Sequence, residues 1–293
     1  MIRFAEVPLG TGGGVRCSRC HGPAQPAAYR SAAAVVADIE EAVTLAAASS
    51  SGVALTGPEP FGHPELPVLV SVAVRAQVRR LGLDTDGVAL QSPSNAGGAL
   101  SAGVRHLTFA LLGGTPGIHD ALLGGPGSFD AALAGVRTYR RVAGEEGVAV
   151  SIVAVVPACR HNLHDLPAAV GAAVDAGADS VLVRLEDAGA DLAPALPWLT
   201  AACDTGVVNG VWVEVEGVPF CLLPGYDLHV SDVVRPRAGA KSPVCATCAA
   251  DDVCGGGPSG ASADLLGLLH PPADAARLWC GASKVREEVR LDG

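Results

Sequence analysis

The sequence predicts an α/β protein, a partial (β/α)6 barrel of the TIM type followed by a small Cys-rich C-terminal extension. Three observations predict it. Short apolar runs alternate with amphipathic or Ala-rich segments from residue 2 to about 185. Units of this length imply a parallel sheet with right-handed crossovers. Six such units exceed what one open nucleotide-binding half needs and fall short of a full eight-fold barrel. Beyond about Thr205 the alternation stops and cysteines cluster, which divides the chain into a barrel over 1–205 and a C-terminal region over 206–293.

The elements follow in order. Ile2–Leu9 reads as a strand. Ser31–Ala48 reads as a helix with Asp38, Glu40 and Glu41 on its wet face and Ser31 as N-cap. Val53–Thr56 is a short buried strand, followed by a helix over Pro67–Arg80. Gly82–Thr85 is the third strand, closed by the turn signal Asp86-Gly87. His106–Leu112 is the fourth strand, with a loop over Gly113–Ser128 and a helix over Phe129–Ala143. Val148–Val156 is almost continuously apolar, as a strand covered on both faces should be. Asp165–Ala176 is a helix, Ser180–Leu185 the sixth strand and Val211–Val215 one more strand. In a barrel the loops at the C-terminal strand ends share one mouth. Thr11–His21, Gly57–Pro60, Thr85–Gly87, Gly113-Gly114 and Pro157–Asn162 would all meet there.

Composition narrows the classes. Of the 293 residues, 49% are hydrophobic and 17% charged, enough apolar material for a core. A net charge of −10 without a basic run argues against nucleic acid and anionic membranes as partners. Nine cysteines, an odd count, with no leader-like or membrane-spanning run, point to the cytoplasm. There, clustered thiols bind metal more often than they form disulfides.

Two groups of cysteines carry metal-site spacing. Cys17 and Cys20 stand two residues apart in a Gly-rich loop, so both sulfurs can face one centre. Cys245, Cys248 and Cys254 have C-x2-C-x5-C spacing, with Cys221 upstream after Pro219-Phe220. Four thiolates fit a zinc ion or an iron–sulfur cluster, and spacing does not choose between them. Cys159, Cys203 and Cys280 are isolated and read as buried structural thiols. His161 and His164 read as a solvated helix start. Gly10-x-Gly12-Gly13-Gly14 lacks the Lys-Ser/Thr and the helix of a phosphate loop.

Taken in register, these segments resemble the radical S-adenosylmethionine superfamily. That pattern has C-x3-C-x-x-C after strand one, G-G-E-P at strand two and often T-N-G at strand three. Here stand Cys17-x-x-Cys20-His21, Gly57-Pro58-Glu59-Pro60 continuing Phe-Gly-His-Pro-Glu-Leu66, and Thr85-Asp86-Gly87. Gly127-Ser128-Phe129 and Asn162 are similar to the branch that modifies peptides. The C-terminal cysteines resemble its auxiliary-cluster extension, the SPASM or twitch type.

The resemblance implies a [4Fe–4S] cluster held by three thiolates, with Cys17 and Cys20 among the ligands. Its open iron would chelate S-adenosylmethionine. Gly57, Pro58, Glu59, Pro60, Thr85 and Asp86 would line the cofactor site, and His21 would stack on the adenine. Glu59 or a nearby carbonyl would accept from the methionine amino group. A 5′-deoxyadenosyl radical would then take hydrogen from a peptide or small-molecule substrate, with a reductant protein as electron donor. An auxiliary cluster would use Cys221, Cys245, Cys248 and Cys254.

Three positions depart from the pattern: Gly13 replaces the first cysteine, Pro58 the second glycine of G-G-E-P, and Pro258 the fourth auxiliary cysteine. His21, a distant thiol such as Cys159, or a partner protein are the conceivable replacements for the missing first ligand. Two readings follow, an enzyme or a binding scaffold that keeps only the auxiliary cluster.

Overall fold

The structure, a computed structural model, describes residues 4–13, 17–22, 25–49, 52–185, 193–231 and 243–248. In chain order the elements are β1 (Phe4–Pro8), β2 (Gly10–Thr11), α1 (Ser18–His21), β3 (Ala28–Tyr29), α2 (Ala32–Ser49), β4 (Gly52–Thr56), α3 (Leu66–Arg75) and β5 (Leu81–Thr85). Then come α4 (Pro93–Ser101), β6 (Val104–Ala110), α5 (Pro116–Leu123), α6 (Ser128–Glu145), β7 (Ser151–Ala158), α7 (Leu166–Ala176), β8 (Ser180–Leu185), α8 (Leu196–Val208) and β9 (Trp212–Glu216).

Seven strands form one sheet in the order β1-β4-β5-β6-β7-β8-β9, every pairing parallel. Spatial order equals chain order, so there is no switch point of the doubly wound kind. Successive helices touch, α2 with α3, α4 with α6, α6 with α7 and α7 with α8. This is the arrangement of a TIM-type barrel, here partial. β9, which follows the boundary drawn at residue 205, is the seventh strand of the same sheet.

Side chains alternate along each strand. Val53 and Leu55, Leu81 and Leu83, Leu107 and Phe109, Ile152, Ala154 and Val156, and Val181 and Val183 join the helices in one core. The opposite face of the sheet is more polar. Arg184 pairs with Glu216 at 2.7 Å on the neighbouring strand. Burial, with the nearby Glu6 adding and Arg184 opposing, pushes Asp84 up to about 6.

Several elements differ from expectation, each for a local reason. The helix expected over Pro67–Arg80 stops at Arg75, and Gln77 then adopts a left-handed φ of 59° that breaks it. The expected loop after β6 contains α5, which begins at Pro116 and ends at Gly124 in the left-handed region. α4 is rich in Gly, Ser and Asn and forms because Ala96, Ala99 and Leu100 are buried. Strand five begins at Ser151 rather than Val148 and runs to Ala158. Ser31 does cap α2, its Oγ accepting from the Ala34 N–H at 3.4 Å.

Candidate metal and cofactor site

The strands end together at one edge, and the loops leaving it hold the cysteines. After β1, Gly12 and Gly13 take left-handed φ values of 70° and 58°, turning the chain back. Cys17 sits in extended backbone just ahead of α1, and Cys20 lies in that single turn, its N–H donating to the Cys17 carbonyl at 3.2 Å. The turn brings the two sulfurs to one side. Cys159 follows directly on β7. The Sγ atoms of Cys17, Cys20 and Cys159 all lie within 4.8 Å of one another.

Cys17 and Cys159 are buried and Cys20 is half-buried. Leu112 and Leu122 are buried with them, and Ile118 and Leu123 of α5 pack alongside, so α5 forms an apolar cover. Burial, and then hydrogen bonding to its two thiol neighbours, pushes Cys20 far above the usual thiol range. Burial likewise raises Cys159. Burial thus favours the protonated form of Cys20 and Cys159, and a bound metal would take the place of those protons. Three soft donors in an apolar pocket fit a thiophilic metal or an iron–sulfur cluster.

Asn162 holds the Cys159 loop in place. Its Oδ1 accepts from the Cys159 N–H, and its Nδ2 donates to the Leu112 and Pro157 carbonyls, each at 2.8 Å. The Leu112 N–H in turn donates to Nδ1 of buried His119 at 3.0 Å. The loops after β6 and β7 are thereby tied together beside the thiols.

Glu59 does the same for the loops after β4 and β5. Its carboxylate accepts from Thr85 Oγ1 at 2.7 Å, from the Asp86 N–H at 2.7 Å and from the Phe61 N–H at 3.2 Å. Its carbonyl accepts from the Tyr29 hydroxyl at 2.8 Å. The Glu59 carboxylate, expected to meet a methionine amino group, thus already carries donors. Gly57, at φ 101°, lets this loop approach Gly10, and Pro60 opens the short helical turn Pro60–Gly62.

Burial first, then the negative Asp86, push Glu59 from 4.5 up to about 7 against those hydrogen bonds. The folded state therefore binds a proton here that the unfolded chain releases. Stability from this group is full below pH about 4.5 and falls as pH rises towards 7. Denaturant melts at pH 5 and 8 should show a loss of about 2 kcal/mol in the wild type, by the size of the shift, that Glu59→Gln lacks. Equal pH slopes in both proteins would refute this.

The remaining expected residues are placed as follows. His21 is the last residue of α1, and its side chain lies outside the described residues. Cys221 lies in the turn Phe220–Leu222 and Cys245 in Pro243–Thr247, both packed against the main core. The Cys248 N–H donates to the Cys245 carbonyl at 2.9 Å. Cys254, Pro258 and Cys280 lie outside the described residues. Cys203 is buried on α8, as expected of a structural thiol. Cys159 is buried as expected but is not isolated, because two other thiols lie beside it. Its place directly after strand five, at the same edge as the first loop, was the available signal.

No protein-family model matches the chain, and no curated protein matches it. Solved structures do. SuiB from Streptococcus suis superposes with a TM-score of 0.53 at 14% identity, over 79% of this chain and 53% of that one. SuiB bound to S-adenosylmethionine gives 0.51 at 12%, over 78% and 50%. SuiB bound to its precursor peptide SuiA gives 0.48 at 14%, over 71% and 48%. The chain spans about half the length of SuiB. At this identity the likeness is one of fold alone. Among the described residues, no helix is long and apolar enough to cross a membrane.

Proposed function

We propose that the chain is a radical S-adenosylmethionine iron–sulfur protein that modifies a peptide or small metabolite, working in the cytoplasm with a reductant protein. The observation that carries this reading is the group of three thiols at the strand ends of a fold similar to that of SuiB. A [4Fe–4S] cluster with S-adenosylmethionine supplies, when bound, a 5′-deoxyadenosyl radical that abstracts hydrogen. The chain's own residues have simpler tasks. Cys17 and Cys20 give up their protons and ligate. Leu112, Ile118, Leu122 and Leu123 exclude water from one side. Glu59 joins the loops ending at Thr85 and Asp86 to its own, which fixes the walls of the cofactor site. Cys221, Cys245, Cys248 and Cys254 are assigned to an auxiliary cluster, in a C-terminal region counted from residue 206. The peptide substrate rests on the resemblance at Gly127-Ser128-Phe129 and Asn162. The scaffold reading leaned on Gly13 alone, and three gathered thiols favour the enzyme.

The test is anaerobic reconstitution of the full chain with ferrous iron and sulfide. It is followed by iron counting and by reduction in the presence of S-adenosylmethionine. Release of 5′-deoxyadenosine is expected. A colourless protein that takes up only zinc, or an iron-loaded one that never cleaves the cofactor, would overturn the reading.

A further inference from the structure

We infer that Cys159 is the third cysteine ligand of the iron–sulfur centre, standing in for the thiol that the motif spacing assigns to position 13. The inference rests on the function proposed above and deepens it. In the motif all three ligands come from one loop. Here the third sulfur arrives from the end of β7, across the mouth, and lies within 4.8 Å of both others. The backbone that presents it is fixed on both sides. The Cys159 N–H is held by the Asn162 side chain and its carbonyl by the Asn162 N–H at 2.9 Å.

Position 13 is not a vacancy waiting for a thiol. Gly13 has a left-handed φ of 58°, which strains any other residue. A Cβ placed there would stand 3.3 Å from both Cα and Cβ of Pro58 and 3.4 Å from Cβ of Ala27, so its neighbours would have to give way. Pro58 is itself the second departure from the motif. The two substitutions therefore face each other, one removing a side chain where the other adds a ring. On metal binding, Cys17, Cys20 and Cys159 would each release one proton to solvent, while iron and sulfide come from the reconstitution mixture. Three thiolates then leave one iron free for an outside ligand.

The experiment compares wild type, Cys17→Ala, Cys20→Ala, Cys159→Ala, Cys159→Ser and Gly13→Cys, all as full chains reconstituted anaerobically. Iron per chain, the electron paramagnetic resonance of the reduced protein, and its change on adding S-adenosylmethionine are read. Melting of each apo-protein checks folding, and the size-matched Cys159→Ser covers the case in which the alanine variant fails to fold. Both Cys159 variants should lose as much iron as Cys17→Ala. The cofactor-induced signal change should drop at least tenfold. Gly13→Cys should melt lower than wild type without gaining iron. If the Cys159 variants keep wild-type iron and signal while Cys17→Ala and Cys20→Ala lose them, the inference is wrong and the proposed function stands. If none of the three positions affects iron, or the wild type binds none, the functional reading falls as well.

Discussion

Asn162→Ala is expected to lose about 2–4 kcal/mol of folding stability and most of the iron at the first site. The side chain is 1% exposed, and all three of its hydrogen bonds go to backbone groups of the loops that flank the thiols. Alanine leaves the Leu112 and Pro157 carbonyls and the Cys159 N–H without that partner, at roughly 1–3 kcal/mol for each buried group that stays unsatisfied. Asn162→Asp should be no better at neutral pH. It keeps the acceptor but turns a carboxylate oxygen towards two carbonyls, and it should recover partly in acid, where that oxygen gains a proton. Leu69→Ala makes a fair control, because Leu69 is a fully buried residue of α3 and its loss costs a similar 2–5 kcal/mol. Urea melts and iron counts on both variants separate the roles. Equal instability with iron lost only in Asn162→Ala marks Asn162 as a positioning residue. Equal iron retention would reduce it to a structural one.

Gly135→Ala should be the most damaging single methyl addition in α6. A Cβ at Gly135 would fall on the carbonyl oxygen of Gly87, with the Gln91 nitrogen 3.3 Å away. From the other side, a Cβ at Gly87 would stand 3.0 Å from the Ala132 carbonyl oxygen, and Gly87 has a φ of 80°. Helix and turn thus meet backbone to backbone. The turn also carries Thr85 and Asp86, which are bonded to Glu59. A methyl group here pushes α6 away or shifts that turn, at about 3 kcal/mol by the usual cost of overpacking. Gly144 lies in the same helix with nothing within 4 Å of its added Cβ. Gly144→Ala should therefore gain about 0.5–1 kcal/mol from helix propensity. Thermal melts that rank the two variants alike would refute the argument.

The order of strands was legible because a parallel strand covered on both faces writes itself as an apolar run, as in Ile152–Ala158. α2 and α6 were legible from length and pattern. α4 and α5 were not, since their residues are weak helix formers or too few to show a period, and packing holds them. The two loop cysteines could be read from their spacing. Cys159 could be read only as one of three conceivable replacements, because spacing along the chain says nothing about a thiol brought in from another strand. The internal use of Glu59 was hidden for a similar reason: its partners Thr85, Asp86 and Tyr29 come from two other segments.

Cys17 and Cys159 belong to opposite halves of the described sheet region, and their sulfurs meet only once β7 exists. During synthesis at roughly 5–20 residues per second, the first two thiols leave the ribosome on the order of ten seconds before the third. An iron donor acting on the nascent chain would find an incomplete nest throughout that interval. With Cys159 as the third ligand, loading would wait until β7 has emerged, and a fragment ending before β7 would lack that thiol.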